Sequence, residues 1–365
     1  MDGLFSLLYF AALLAAIPVV ALISFIIYGT FRYCPVISRI FEERPLFQPL
    51  KLVPEDRGEE VAFPAADGLE LKGSYFRART KSRVGVLVFC HEFLSDRWSF
   101  APYLDALRDR GFDVFGFDFR NHGESAVDPA YSPLQYASNR EVDDLNGALE
   151  YLRSRPDRDT AGFGLFGVSR GGGAALLVGA QAADVWGVMT DGAFPTRGTM
   201  IAYMIRWAEI YVPRGWILAI LPRFVYSVLG DVAKRRSQRR LNSVFPSVER
   251  AVAGLAPRPW LQIHGKRDVY IGTDIAQALF ARAREPKDQW LVDHAKHNRC
   301  RETAPEEYAR RLADFVDRHA PRRPLGKTSA LDPVAAARLG DFSGAAVARP
   351  AKPELITNVA SSLGG

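Results

Sequence analysis

The stretch Ala161–Gly173, AGFGLFGVSRGGG, decides how the chain is read. A short apolar run, Phe163 to Val168, leads straight into Gly167-Val168-Ser169-Arg170-Gly171, and a small-residue helical pattern, Ala174 to Ala180, follows at once. Strand, sharp turn and helix form the context in which a G-x-S-x-G match carries meaning. Such a turn strains the backbone at its serine. Glycines two residues to either side remove Cβ atoms that would clash, and the hydroxyl is left projecting from the top of a sheet. Ser169 is therefore the candidate nucleophile. A phosphate-cradling loop is the competing reading of these glycines, but no Walker lysine follows them.

Outward from this turn, the chain alternates between strand and helix patterns. Val61 to Ala78 reads as two strands around the turn Ala66-Asp67-Gly68, and Val84 to Cys90 is a continuous apolar run suited to a strand buried on both faces. Tyr103, Leu104 and Leu107 give the next helix its inward stripe, and Phe112 to Phe119 is a further buried strand. Val142, Leu145, Leu149 and Leu152 recur at helical spacing before the strand that leads to Ser169. Val185 to Thr190, Pro259 to His264 and Gln289 to Asp293 supply later strands, and an amphipathic helix carries Tyr308, Leu312 and Phe315. This alternation predicts an α/β fold with a mainly parallel sheet and helices on both faces.

The N-terminal stretch has a different character. No charged residue occurs from Gly3 to Gly29, and a helix of that length is about 40 Å long, enough to cross a bilayer with tilt. No Lys or Arg precedes the run, which is also too long for a signal-peptide core. Arg32, Arg39, Arg44 and Lys51 follow it, so the positive-inside rule puts the bulk of the chain on the cytoplasmic side of a single-pass anchor. The predicted organisation is a transmembrane helix over 1–30 and a proline-rich juxtamembrane linker over 31–60. An α/β domain follows over 61–320, and a Pro/Ala/Gly-rich disordered tail over 321–365. The net charge of +6 comes with no nucleic-acid-binding signature, so an anionic membrane surface or plain solubility explains it better. Cys34, Cys90 and Cys300 are too few and too scattered for a disulfide framework or a zinc site.

A serine hydroxyl needs a base within hydrogen-bond reach, and the base needs a carboxylate to set its tautomer. Asp268, in IHGKRDVYI after one late strand, and His297, in VDHAKHNRC after the next, stand in the expected chain order Ser169, Asp268, His297. His294 is an alternative base and Asp293 an alternative acid; His297 is favoured because it lies beyond the strand end, where a loop can turn back. His294 with His297 as a metal pair lacks a completing carboxylate or cysteine cluster, and no metal or cofactor is expected. Two backbone N–H groups should receive the oxyanion. The Arg170 amide opens the helix after Ser169, and the Phe93 amide lies in the turn His91-Glu92-Phe93-Leu94 after the Val84 to Cys90 strand.

The set HEF, FDFRNHGES, GVSRGG, HGKRD and AKHN, in this order and on these elements, resembles the α/β-hydrolase superfamily over about 61–319. Within it, the chain is most similar to membrane-anchored serine hydrolases and to the monoacylglycerol-lipase or serine-aminopeptidase-like branch. The resemblance implies a two-step ester hydrolysis through an acyl-enzyme on Ser169. A peptidase or amidase, or a catalytically dead membrane-tethered scaffold, are the alternatives it leaves. It also implies a helical cap, for which 193–251, rich in Trp, Tyr, Ile and Leu, is correctly placed. That apolar cap, followed by Lys234, Arg235, Arg236, Arg239 and Arg240, suits a lipid or long-acyl ester substrate and contact with anionic headgroups. One position departs from the pattern: the superfamily usually has His-Gly where this chain has His91-Glu92. A glutamate there would either narrow the acyl pocket or bring a negative charge beside it.

Overall fold

In the computed structural model the described residues are 2–42, 49–53, 56–211 and 222–321. The tail expected from Pro321 onward therefore falls outside them after that residue, as do the cap residues Trp216, Ile217, Ile220 and Leu221. An eight-stranded sheet runs in the order β1-β2-β4-β3-β5-β6-β7-β8. Its strands are β1 (Glu59–Pro64), β2 (Glu70–Phe76), β3 (Gly85–Cys90), β4 (Phe112–Phe117), β5 (Phe163–Val168), β6 (Val185–Asp191), β7 (Trp260–Gly265) and β8 (Lys287–Val292). β1 and β2 pair antiparallel, as do β2 and β4, and every later pairing is parallel.

Every residue of β3, β4, β5 and β7 is buried, which is why their apolar runs are continuous and do not alternate. One face packs on α3 (Asn139–Ser154) and α4 (Arg170–Gly179) through Leu145, Leu149, Leu176 and their neighbours. The other packs on α2 (Ala101–Arg108) and the last described helix, Pro305–His319, through Leu104, Leu107, Tyr308, Leu312 and Phe315. The strand order reverses between β3 and β5. There the loops that follow two adjacent parallel strands diverge to opposite sides, leaving a crevice at their carboxyl ends.

The first helix, α1 (Asp2–Glu42), continues well past the apolar run, through Pro35 and into the stretch read from sequence as linker. Its last turns are held by packing: Cys34, Ile37 and Phe41 are buried against the cap, and the Phe41 ring stacks on Tyr136 with centroids 4.4 Å apart. Such burial outweighs the hydrogen bond that a proline removes. The cap contributes α5 (Thr196–Tyr211) and α6 (Arg223–Arg240). α1 and α6 lie in parallel register, because Cys34 Sγ donates to the Leu229 carbonyl at 3.6 Å and Ser38 Oγ to that of Ala233 at 3.3 Å. From Phe5 to Tyr28 most large apolar side chains of α1 are exposed, and the most apolar window is not buried at all, so this segment is a candidate membrane anchor.

The motif FDFRNHGES forms a polar keystone below the sheet's carboxyl edge. Buried Arg120 donates through Nε to Asp144 on α3 at 2.8 Å, and through its terminal nitrogens to Asp67 in the β1–β2 turn at 2.8 and 2.9 Å. Buried Arg97 pairs likewise with Asp118. A buried ion pair contributes little net stability when whole but is expensive to break, because the surviving charge stays desolvated. Arg120→Ala is expected to lower stability by about 3–5 kcal/mol, measured by thermal or urea unfolding of the detergent-solubilised protein. Asp67→Ala, whose carboxylate is partly exposed, should cost clearly less.

Candidate active site

The crevice between β3 and β5 is where the sequence-nominated groups meet. Cys90 is paired with Gly167, so the two strands end level and the turn after β3 lies beside the turn after β5. Ser169 occupies the second turn with φ 51° and ψ −116°, a strained left-handed conformation, and its N–H donates to the Asp191 carbonyl at 2.8 Å. Backbone packs on backbone here. A Cβ on Gly171 would stand 2.2 Å from the Cys90 carbonyl oxygen and 2.5 Å from that of His91, and one on Gly167 would stand 2.4 Å from the Gly171 oxygen. The missing side chains bring the N-terminus of α4 against the turn that holds Phe93.

Ser169 is almost wholly buried, and its Oγ lies 2.9 Å from His297 Nε2. On the far side of the ring, His297 Nδ1 lies 2.5 Å from Asp268 Oδ2. The carboxylate on Nδ1 fixes the proton there, which leaves the Nε2 lone pair facing the serine. Asp268 is itself held: Oδ1 accepts the amides of Tyr270 at 2.9 Å and Ile271 at 2.8 Å. Burial would raise its carboxyl, but the His297 hydrogen bond and nearby imidazoles outweigh this and keep it below the usual range. His264 donates through Nε2 to the Ile271 carbonyl at 3.0 Å, bracing the same loop, and its burial keeps the ring neutral.

The alternatives weighed from the sequence lie elsewhere. His294 is exposed with φ 62°, and Asp293 pairs with Lys266 at 2.7 Å on the surface. No cluster of metal-ligating side chains occurs among the described residues.

The turn after β3 is organised by His91. The Phe119 amide donates to His91 Nε2 at 3.0 Å, so the ring proton sits on Nδ1 and is donated to the Glu92 carbonyl at 2.7 Å. Burial, with Arg170 nearby, pushes this imidazole down to about 3, so the neutral tautomer persists. A trans peptide points its C=O and N–H in opposite directions, and tethering the Glu92 carbonyl therefore sets the direction of the Phe93 N–H.

Beneath it, the buried Arg170 guanidinium pairs with Glu141 at 3.2 Å, meets His122 Nε2 at 3.1 Å, and lies 5.2 Å from the Phe93 ring centroid. His122 Nε2 accepts from this guanidinium, and the single ring proton, on Nδ1, is donated to the Arg120 carbonyl at 2.8 Å. Sequence reasoning offered no signal for the Arg170–Glu141 pair, since Glu141 reads as an ordinary first-turn helix acid.

Glu92 is buried in this arrangement. Its carboxylate is turned aside, accepting the Leu50 amide and the Asn298 side-chain amide.

A mainly parallel sheet with a strained serine after β5, an acid after β7 and a histidine after β8 is the arrangement of α/β folds that carry a nucleophile elbow. A model of the alpha/beta hydrolase family matches residues 87–312, and the chain belongs to that family. Among curated proteins, the uncharacterized protein YfhR of Escherichia coli is 25% identical over 264 residues, covering 71% of this chain and 80% of its own length. The uncharacterized protein YqkD of Bacillus subtilis is 27% identical over 263 residues, with the same coverage of 71% and 80%. Among solved structures, an esterase of Pyrococcus furiosus superposes with a TM-score of 0.55 at 19% identity over 76% of this chain and 100% of its own. That likeness concerns the fold.

Gly171→Ala is expected to push α4 away from the turn after β3. The overpacking should lower stability by about 1–3 kcal/mol, and reaction with a serine-directed fluorophosphonate should slow by more than the thermal shift alone accounts for.

Proposed function

We propose that the chain is a membrane-tethered serine hydrolase that cleaves carboxylic esters through an acyl-enzyme on Ser169. The observation that carries this reading is the continuous contact from Ser169 Oγ through His297 to Asp268, at 2.9 and 2.5 Å. In the proposed reaction, His297 Nε2 takes the hydroxyl proton as Ser169 attacks the ester carbonyl. Asp268 stabilises the imidazolium that forms, and the Phe93 and Arg170 amides receive the oxyanion. His297 then returns the proton to the leaving alcohol. Water, activated by the same imidazole, releases the acid.

Membrane tethering is supported by the exposed apolar length of α1 and by what surrounds its end. In the parallel register of α1 and α6, the start of α6 lies alongside the last turns of the apolar run. Ile210 is 72% exposed and Phe224 48% exposed at that end of the cap, where they can enter the bilayer surface. Further along, a groove of about 680 Å³ is lined by Thr30, Phe31 and Cys34 of α1 and by Arg235, Arg236, Arg239 and Arg240 of α6. These guanidinium groups follow the apolar run by a few helical turns, at the level of anionic headgroups. Arg32, Arg39, Arg44 and Lys51 favour the cytoplasmic side for the domain. The apolar composition of the cap, with the basic cluster that follows it, supports a lipid or long-acyl ester as the substrate class.

Wild-type protein is expected to react with a fluorophosphonate probe at Ser169. Ser169→Ala should not, with ester turnover falling roughly 10⁴-fold or more. Across p-nitrophenyl esters from acetyl to palmitoyl, kcat/KM should rise with chain length; turnover of aminoacyl amides in preference to every ester would make the protein an amidase instead. Carbonate extraction should leave the full chain in the membrane fraction.

A further inference from the structure

The glutamate that departs from the usual glycine has become a bridge. Glu92 follows His91 directly after β3 and is 4% exposed. Its two carboxylate oxygens reach in different directions. Oε1 accepts the backbone N–H of Leu50 at 2.8 Å, from the segment that joins the α1 end of the chain to the domain. Oε2 accepts Nδ2 of Asn298, the residue after His297. Leu50 is held a second time, because Ser95 Oγ donates to its carbonyl at 2.5 Å, and the Leu50 and Leu52 side chains pack against the core on the α2 side of the sheet.

Both contacts to Glu92 are donors. An ionised carboxylate satisfies them fully, whereas a protonated one would bring an O–H with no acceptor in that pairing. Burying a charge among neutral amides is costly unless both oxygens are occupied, so losing either partner leaves the other contact weakened.

Asn298 is placed where a small displacement matters. It has φ 55°, a left-handed conformation that few residues adopt without support, and it follows directly on the imidazole that faces Ser169. On its other side the loop is confined by the residue that follows β6: a Cβ on Gly192 would stand 2.5 Å from Asn298 Oδ1 and 3.2 Å from His297 Cε1. The loop bearing His297 is thus pressed against Gly192 on one side and drawn toward Glu92 on the other.

We propose that Glu92 is a positioning residue for His297, and that through it the juxtamembrane segment at Leu50 forms part of the active-site scaffold. The proposal rests on Ser169, His297 and Asp268 acting as described above. Its consequence is that the membrane-proximal chain and the base share one carboxylate, so displacement of Leu50 from the domain loosens the base without touching it.

The test uses the full-length protein in detergent, with p-nitrophenyl butyrate turnover, fluorophosphonate labelling and thermal unfolding measured on each variant. Glu92→Ala and Asn298→Ala should each lower kcat roughly 10- to 100-fold, the size of effect a misplaced catalytic group produces, with KM changed by less than about threefold. Because both break one bridge, the double variant should be no slower than the worse single one. Glu92→Gln, whose side chain can still engage both partners once the Asn298 amide turns over, should recover most of the lost kcat. Leu50→Pro removes the amide hydrogen and should follow Glu92→Ala, while Val53→Pro, at an exposed residue of the same segment, should stay near wild type.

Full kcat in Glu92→Ala would overturn the proposal, as would multiplicative losses in the double variant or equal losses in Val53→Pro and Leu50→Pro. A wild-type protein that fails to label at Ser169 would overturn the serine mechanism and this role with it. Normal wild-type labelling with undiminished labelling of Glu92→Ala would overturn the bridge alone.

Discussion

The parallel pairing of β3 with β5 is the constraint on which the site depends. Because Cys90 lies opposite Gly167, the two strands end at the same height, and the turns that follow them are forced side by side. α4 then has to begin against the backbone of β3, which it does by presenting Gly171 to the Cys90 and His91 carbonyls. A close backbone approach of this kind leaves no room to adjust. The strained φ of Ser169, the aim of its hydroxyl and the position of the Arg170 amide follow from it together. The strain at Ser169 is borne by the sheet and by α4, both buried.

Around this rigid centre three buried polar side chains are each held from two sides. His91 is held in one tautomer by an amide on one side and a carbonyl on the other. Arg170 is held between Glu141 and His122, and Asp268 between two amides and an imidazole. Inside a low-dielectric interior such contacts are directional and expensive to leave unmade, and that fixes side-chain positions more tightly than apolar packing does. Glu92 belongs to the same scheme. In the turn after β3 its charge would be hard to accommodate; turned toward Leu50 and Asn298, it is satisfied and links three segments that are distant in the chain.

The first helix has two surfaces of different character along its length. From Phe5 to Tyr28 it is apolar and exposed, whereas beyond Thr30 it buries Cys34, Ile37 and Phe41 against the cap. The proline-rich composition of this region favours a break after the apolar run, yet the helix continues, because burial on α6 and Tyr136 outweighs the local cost of Pro35. Composition describes what a segment prefers alone; a neighbour 195 residues away decides what it does here.

Much of the fold could be read directly from the chain. Continuous apolar runs mark strands covered on both faces, the helical recurrence of Leu145, Leu149 and Leu152 marks α3, and the glycines flanking Ser169 mark a turn too tight for side chains. Each of these is a local pattern, set by the geometry of neighbouring residues, and so each is written in a short window. The nomination of Ser169, Asp268 and His297 drew on the same local signals, one turn at a time. What only the tertiary structure decided is which groups touch: His297 with a serine 128 positions away, Asn298 with a glutamate 206 positions away, Arg170 with Glu141, and α1 with α6. Such contacts arise where the sheet brings strand ends together, and since no spacing or period links their partners, the sequence carries the residues but not the pairing.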